Sequence, residues 1–334
     1  MTAVLRQNTD KVKKITVNAS VSYDVLIGEG LLNDAGILIS SLGNMERAVI
    51  VSDDNVYPLY GDTVKSRLEK AGIRTDSFVF PHGEISKSLA VYEALLEFLG
   101  DLCMTRSDII VALGGGVTGD MAGFAAATYQ RGIRFVQIPT SLLAAVDSSV
   151  GGKTAINLKS GKNQAGCFYQ PSLVICDTAA LKTLPEEEYR NGSAEVIKYG
   201  MINDKEFFEQ LSECPIKDIE EEAIAKCVSM KRDIVMEDEF DTGVRMLLNF
   251  GHTLGHCAEK LSGYTIPHGY GVAMGMAAIT EAAERNGIAE KGTADRLIKV
   301  LKQYDLPTVI PYSKEELFEA ARADKKKTGD KMRI

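Results

Sequence analysis

Short apolar runs rich in valine and isoleucine alternate with helical patterns through the first half of the chain. The runs RAVIVSDD, TDSFVF and SDIIVALGGG are each followed by a segment with helical spacing, and RFVQIPT and PSLVICD come later. Strands separated by helices of this length indicate a parallel sheet covered on both faces. The segment KITVNASVSYDVLIGEG predicts an antiparallel pair at one edge of that sheet.

After about residue 180, strand-like runs give way to helical periodicity, from PEEEYRNGSAEVIKYG to SKEELFEAARADKKK. We therefore predict an α/β fold in which a parallel-sheet, nucleotide-binding domain over residues 1–180 precedes an all-helical domain over residues 181–334. Asn191 or Ser193 is expected to cap the start of a helix that carries Glu195 and, one turn on, Lys198.

Composition narrows the classes of function. A net charge of -8 argues against a nucleic-acid partner, because phosphate backbones are bound by accumulated lysine and arginine. The first residues lack the apolar core of a signal peptide, and no stretch reaches the roughly 20 apolar residues that cross a bilayer. The cysteines form no CxxC pair, so we expect reduced thiols and a cytoplasmic protein that binds no membrane.

A glycine turn predicts a nucleotide site. DIIVALGGGVTGDMAGF places Gly114, Gly116 and Gly119 in a GxGxxG spacing between a strand and a helix, where the backbone approaches a pyrophosphate closely. The acid expected about 20 residues downstream to bind a ribose is absent. Three residues at the end of an earlier strand are candidates for that role: Asp53, Asp54 and Asn55. The alternative interpretation is a tight turn without a ligand.

A glycine-rich, polar segment predicts an anion pocket. It follows a strand end, the place where open α/β sheets bind ligands. The segment contributes Arg131, Asp147, Lys153, Lys162 and Asn163, separated by glycines on which the lysines could close around a charged ligand. For any one of these lysines, a solvated surface position is the alternative.

Three of the four histidines lie within LNFGHTLGHCAEKLSGYTIPHG. Arg245, Asn249, His252 and His256 are spaced by 4, 3 and 4 residues, so a helix carrying all four would present them within an arc of roughly 60°. Two imidazoles four residues apart suggest a shared metal ion, with His268 or Glu195 as a third ligand. Spacing alone leaves open which three side chains bind the metal, out of His252, His256, His268 and Glu195.

The assembled motifs closely resemble the 3-dehydroquinate synthase family, which belongs to the sugar-phosphate cyclases. The matching stretches run in order from about residue 50 to 280: GGGVTGD, RGIRFVQIPTSLLAAVDSSVGGKTAIN, GKNQAGCFYQP, TLPEEEYRNGSAEVIKYG, RMLLNFGHTLGHCAE and PHGYGVAMGM. Together they are highly specific.

The resemblance implies a division of labour among the side chains. Zinc, or cobalt as a substitute, would be bound by Glu195, His252 and His268, whereas His256 would face the substrate. The rest of the substrate pocket would comprise Arg131, Asp147, Lys153, Asn163, Lys198, Lys231, Arg245 and Asn249. NAD would be held by Asp53, Asp54, Asn55, Glu84, Lys87, Gly114, Gly115, Gly116, Asp120, Thr140, Ser141, Lys162 and Thr183.

The implied activity is that of a phosphate-eliminating lyase of the shikimate pathway of aromatic amino acid biosynthesis. It converts 3-deoxy-arabino-heptulosonate 7-phosphate to 3-dehydroquinate and phosphate through transient oxidation by NAD, phosphate elimination, reduction and intramolecular aldol closure. The carboxylate and phosphate of this substrate would account for a basic cluster in an acidic protein. The resemblance also implies a homodimer, and a phosphate contact from Lys325 or Lys326. Family members continue past DKKKTGDKMRI into a final strand, so either the sequence is clipped or that strand is missing.

Three alternatives remain. A sibling cyclase that makes an inosose or a valiolone would share the machinery, and Asn249 and His256 are the positions that favour 3-dehydroquinate synthase. A metal-dependent polyol dehydrogenase would accumulate NADH. An NAD-binding sensor with structural zinc is disfavoured because structural zinc normally has four protein ligands, and three are evident.

Overall fold

A computed structural model describes residues 12–324, and these fold as two compact units. The first unit contains residues 12–184 and 224–240, and the second contains residues 185–223 and 241–324. The predicted boundary near residue 180 lies close to the end of the first segment. Residues 224–240, expected within the helical half, belong instead with the sheet unit.

The first unit is built on a seven-stranded sheet with the strand order β1-β2-β9-β6-β5-β3-β4. Among the described strands of this sheet, β1 and β2 at one edge are the only antiparallel neighbours, so the predicted edge pair and parallel sheet are confirmed. The strands that the structure describes are β1 (Lys13–Asn18), β2 (Ser22–Gly28), β3 (Arg47–Asp53), β4 (Arg74–Phe80), β5 (Ile109–Gly114), β6 (Arg134–Pro139), β7 (Lys153–Leu158), β8 (Gly161–Phe168) and β9 (Leu173–Asp177).

Both faces of this sheet are covered by apolar side chains. Successive residues of a strand point to opposite faces, so Ile50 packs in a core with Leu68, whereas Val51 packs in a second core with Leu95 and Met121. The helices that supply these cores are α1 (Ala35–Ser40), α2 (Asp62–Lys70), α3 (Leu89–Asp101) and α4 (Gly116–Thr128). Burial on two faces explains why the strands read as continuous apolar runs.

The lysine-bearing segment expected to be a hinged loop forms an antiparallel hairpin of β7 and β8 instead. Its β-branched residues explain the difference. Thr154 and Ile156 are two residues apart, so they lie on the same face of β7, and both are buried. The pairing shifts register between Ile156 and Leu158, which marks a local irregularity at Asn157.

The described residues of the second unit form helices and the loops that join them, with no strand among them. Its helices are α5 (Glu186–Asn203), α6 (Lys205–Glu213), α8 (His252–Leu261), α9 (His268–Arg285), α10 (Thr293–Gln303) and α11 (Lys314–Asp324), and α7 (Glu220–Glu237) begins in this unit and continues in the first. Among the helices described, none combines the length and the apolar character needed to cross a membrane.

The capping prediction for α5 is wrong. This helix begins at Glu186, so Asn191 and Ser193 lie inside it. Asn191 instead serves the start of α9, where its Oδ1 atom accepts a hydrogen bond from the backbone N–H of Gly269 at 2.6 Å. First-turn N–H groups have no partner within their own helix. The cap is therefore a tertiary contact that joins α5 to α9.

Candidate active site

A buried carboxylate and two imidazoles converge in the second unit. Glu195 on α5 is fully buried, and its Oε1 atom lies 3.5 Å from Nε2 of His252 and 3.4 Å from Nε2 of His268. The candidate ligand atoms of these three residues all lie within 4.8 Å of one another. This geometry favours Glu195, His252 and His268 as the metal-binding set over a set built on His252 and His256.

His256 belongs to a different group. Its ligand atom lies within the same 4.8 Å limit of Glu259 and His268, and its side chain is exposed. The ring centroids of His252 and His256 are 5.4 Å apart, and those of His256 and His268 are 5.7 Å apart. The three histidines therefore meet, but only His252 and His268 approach Glu195 within ion-pair distance among the described contacts.

Glycines on α8 and α9 allow this convergence. A Cβ atom added at Gly275 would lie 1.9 Å from the carbonyl oxygen of Gly251, and one at Gly255 would lie 2.8 Å from the backbone of Gly271. Pairs of glycines four residues apart on each segment thus let the two backbones touch. Close contact brings His252 on α8 next to His268 at the start of α9.

The predicted single helix through Arg245 and His256 is wrong. Arg245 and Asn249 lie on a short 3-10 helix, Val244–Asn249, and α8 begins only at His252. Gly251 interrupts the helix with a left-handed φ of 80°, a conformation that suits glycine. Arg245 is buried and Asn249 is exposed, so the two do not share a helix face with His252 and His256.

Charges in this site are strongly coupled. Lys198, almost fully buried, forms an ion pair with Glu195 one turn away on α5. Burial, together with the positive charge of Lys198, lowers the pKa of His252 to about 3. Burial also acts to lower the pKa of His268, but hydrogen bonds to Glu195 and Glu259 outweigh it and raise that pKa to about 10. At neutral pH, His252 is neutral and His268 carries a proton.

Glu259 is a functional candidate that the sequence reasoning missed. It is buried, and its Oε1 atom accepts a hydrogen bond from Nδ1 of His268 at 2.9 Å. Carboxylates in this position hold a ligating imidazole in one tautomer and orientation. The sequence spacing could have identified it. Glu259 follows His252 by seven residues and His256 by three, which places all three on one face of a helix.

The glycine turn of the first unit has the predicted strand-to-helix setting. β5 ends at Gly114, and α4 begins at Gly116. A Cβ atom at Gly114 would lie 2.5 Å from Oγ1 of Thr118, so a larger residue does not fit there. Asp53 accepts hydrogen bonds from the N–H groups of Asn55 and Val56 and so closes the turn after β3.

Asp54 has a partner that the sequence did not predict. Its Oδ1 atom lies 2.8 Å from the backbone nitrogen of His82 and 2.7 Å from Nδ1 of the same residue. The hydrogen bond to the His82 side chain lowers the pKa of the Asp54 carboxyl below its usual range. The fourth histidine thus lies beside a candidate ribose-binding acid, at the edge where β3 and β4 end.

Lys87, Asp120 and Asn163 form a polar cluster in the same unit, in which Lys87 is buried and Asn163 is exposed. The Nζ atom of Lys87 lies 2.5 Å from both Oδ2 of Asp120 and Oδ1 of Asn163. Burial raises the pKa of Asp120, and the charge of Lys87 opposes that shift. Lys87 therefore contacts both Asp120, also predicted for the cofactor, and Asn163, predicted for the substrate.

The remaining predicted residues of the first unit range from exposed to buried. Lys231 on α7 donates to Oδ1 of Asp147 at 2.9 Å, whereas Lys153 and Arg131 are exposed. Lys162 forms an ion pair with Glu84 at 3.8 Å. Hydrogen bonds join the N–H of Thr140 to the carbonyl oxygen of Gly114 at 3.0 Å, the N–H of Ala144 to Oγ of Ser141 at 3.2 Å, and the hydroxyls of Thr183 and Tyr60. Lys325 and Lys326 lie outside the described residues.

Family models match most of the chain. The model described as 3-dehydroquinate synthase N-terminal matches residues 77–191, and the model described as 3-dehydroquinate synthase C-terminal matches residues 192–327. A 3-dehydroquinate synthase of Enterococcus faecalis is 45% identical over 96% of this chain and 92% of its own length. One of Streptococcus sanguinis is 46% identical over 93% of this chain and 90% of its own length.

Solved structures agree with this result. A 2-deoxy-scyllo-inosose synthase, solved with carbaglucose-6-phosphate, NAD+ and Co2+, is 27% identical with a TM-score of 0.82 over 93% of this chain and 89% of its own. A 2-epi-5-epi-valiolone synthase from Streptomyces hygroscopicus, solved with NAD+ and Zn2+, is 26% identical with a TM-score of 0.84 over 93% of this chain and 88% of its own. This chain belongs to the 3-dehydroquinate synthase family.

Proposed function

We propose that this protein is a 3-dehydroquinate synthase. It converts 3-deoxy-arabino-heptulosonate 7-phosphate to 3-dehydroquinate and inorganic phosphate, and it is a lyase that depends on NAD and a divalent metal. The observation that carries this proposal is the convergence of Glu195, His252 and His268 in a chain that belongs to this family. Identity of about 45% to curated synthases, against 27% to an inosose synthase, supports this substrate over those of the sibling cyclases.

The three converging residues fit a catalytic zinc or cobalt ion. Catalytic zinc sites combine three nitrogen or oxygen ligands with an open position, and one carboxylate with two imidazoles is such a set. When bound, the ion supplies a Lewis acid that polarises a substrate hydroxyl. Glu259 orients His268, and Lys198 balances the charge of the buried Glu195. His256, which is exposed beside this group, is proposed to contact the substrate.

The sheet unit is the proposed NAD-binding domain. Backbone N–H groups at the start of α4 offer a site for the pyrophosphate. Asp53 ends the neighbouring strand β3, and Asp54 and Asn55 follow it directly. When bound, NAD accepts a hydride and returns it, so the cofactor is not consumed. Glu84, Lys87 and Asp120 are proposed to hold it, together with Gly114, Gly115, Gly116, Thr140, Ser141, Lys162 and Thr183.

The substrate carries a phosphate and a carboxylate, and both need positive partners. Lysine and arginine bind such groups through charge-assisted hydrogen bonds. Holding the substrate ends together also favours the intramolecular aldol closure over free encounter. The proposed contacts in the first unit are Arg131, Asp147, Lys153, Asn163 and Lys231, and those in the second unit are Lys198, Arg245, Asn249 and His256.

A phosphate-release assay tests the function. Purified protein with zinc, NAD and the heptulosonate is expected to release phosphate while NADH absorbance shows no net rise. Protein treated with a chelator serves as the control, and zinc should restore its activity. Steady accumulation of NADH would identify a polyol dehydrogenase instead. Turnover of a hexose 6-phosphate, with none of the heptulosonate, would identify a sibling cyclase.

We also propose that the protein is a cytoplasmic homodimer. None of its six cysteines forms a disulfide, as is usual in a reducing compartment, whereas the dimer rests on the family resemblance alone. Light scattering coupled to gel filtration gives the mass of the particle, and a monomeric mass under assay conditions would refute the dimer.

A further inference from the structure

Asn157 lies at the irregularity in the β7–β8 hairpin, where the pairing shifts register between Ile156 and Leu158. Its backbone instead forms an isolated parallel bridge with Ser88. Irregular positions of this kind redirect a side chain away from the regular alternation of a strand. The side chain of Asn157 is thereby available to the segment that precedes α3.

Three hydrogen bonds of Asn157 join two separate parts of the first unit. Its backbone N–H donates to the carbonyl oxygen of Lys87 at 2.8 Å, and its Nδ2 atom donates to Oε1 of Glu84 at 2.7 Å. Its Oδ1 atom accepts from the N–H of Asn163 at 2.9 Å. The amide side chain of Asn157 therefore donates to Glu84 in the 84–88 segment and accepts from Asn163 on β8.

The residues at the two ends of this connection belong to different parts of the proposed site. Glu84 and Lys87 are proposed to bind the cofactor, and Asn163 is proposed to contact the substrate. Asn163 has a left-handed φ of 54°, and its Oδ1 atom accepts from Nζ of Lys87 at 2.5 Å. The orientation of Asn163 therefore depends on contacts with both Asn157 and Lys87.

We propose that Asn157 is a positioning residue, which holds Glu84 in its cofactor-binding orientation and Asn163 beside Lys87. This inference rests on the proposed function for the roles of Glu84, Lys87 and Asn163. The amide satisfies both neighbours at this position, because its Nδ2 atom donates and its Oδ1 atom accepts. A carboxylate accepts from Asn163 but faces the carboxylate of Glu84 with a like charge, and an aliphatic side chain makes neither bond.

A double-mutant cycle on the NAD dissociation constant tests the bond to Glu84. Asn157→Asp is expected to weaken NAD binding by roughly 10- to 100-fold, because the variant loses the hydrogen bond to the charged Glu84 and the free energy of such a bond corresponds to a factor of that size. In a Glu84→Gln background, the amide introduced at position 84 can donate a hydrogen bond to the carboxylate introduced at position 157. The same Asn157→Asp change is then expected to cost about tenfold less than it does in the wild type. Equal losses in both backgrounds would overturn the proposal.

Asn44→Asp is the matched control, because Asn44 is an exposed asparagine of the same unit, before β3. It is expected to leave the NAD dissociation constant unchanged. A comparable loss in this control would show that added charge alone weakens binding, and it would overturn the assignment to Asn157.

Hydrogen exchange at the Asn163 amide tests the second bond without NAD or substrate. Asn157→Leu is expected to speed exchange at this amide at least tenfold, whereas Asn157→Asp, which keeps an acceptor, is expected to leave it within about threefold of the wild type. Equal exchange in wild type and both variants would overturn the proposal. If Asn157→Leu fails to fold, faster exchange in Asn157→Asp would itself contradict it. Failure of the wild type to bind NAD would refute the proposed function, and the exchange result would still decide whether Asn157 positions Asn163.

Discussion

His268 donates a hydrogen bond from Nδ1 to Oε1 of Glu259 at 2.9 Å, and its other ring nitrogen lies 3.4 Å from Glu195. The imidazole is therefore held between two carboxylates of different roles. Glu195 shares the candidate metal group, whereas Glu259 contacts the nitrogen that faces away from it. The contact with Glu259 therefore fixes the orientation in which His268 faces Glu195.

Glu259→Gln is expected to weaken zinc binding by about 10- to 100-fold, because the neutral amide holds the imidazole less strongly and no longer fixes its tautomer. Titration with a competing zinc chelator measures this change. Glu213→Gln, at an exposed glutamate at the end of α6, is the control and should bind zinc as the wild type does. Wild-type affinity in Glu259→Gln would remove Glu259 from the site.

His252→Ala is expected to lose bound metal, whereas His256→Ala should keep it and lose turnover. The reason is geometric, because His252 approaches Glu195 and His256 instead lies with Glu259 and His268. Metal content after gel filtration and phosphate release in the presence of zinc separate the two effects. Equal metal loss in both variants would mean that His256 is a ligand.

Zinc binding is expected to release about one proton per site at any pH between the pKa of His252 and the pKa of His268. The pKa of about 10 leaves His268 protonated in the metal-free protein, whereas the pKa of about 3 leaves His252 neutral. Zinc requires neutral imidazoles, so its affinity should rise about tenfold per pH unit until His268 loses its proton. Calorimetry in buffers of different ionisation enthalpy counts the protons. Release of none would contradict the protonated state of His268.

Gly275→Ala is expected to destabilise the protein by roughly 1–3 kcal/mol, because the new methyl group would lie 1.9 Å from the Gly251 carbonyl and force α8 and α9 apart. Urea unfolding measures the change. Zinc affinity should fall as well, since His252 and His268 lie on these two helices. Gly100→Ala on α3 is the matched control, because its methyl group would meet open space, and it should be neutral or stabilising by up to about 1 kcal/mol. Equal free energies of unfolding in both variants would contradict the close packing.

Much of the sheet unit was predictable from local patterns. The continuous apolar runs of β3 and β5 arise from burial on two faces, which is a property of each strand alone. The GxGxxG spacing likewise located the turn between Gly114 and Gly116. The β7–β8 hairpin was missed, because lysines and glycines are spread through its sequence and obscure the spacing of a strand that Thr154 and Ile156 carry.

The sequence by itself determined which side chains are available to the candidate metal site, because Glu195 and the three histidines stand out in composition and spacing. It did not determine their arrangement. Spacing placed Arg245 and His256 on one helix, but Gly251 breaks that helix where α9 packs against it. Contact between Gly275 and Gly251 brings together residues that no local pattern links. The grouping of Glu195, His252 and His268 was therefore decided by tertiary packing, since it depends on how closely separate helices approach.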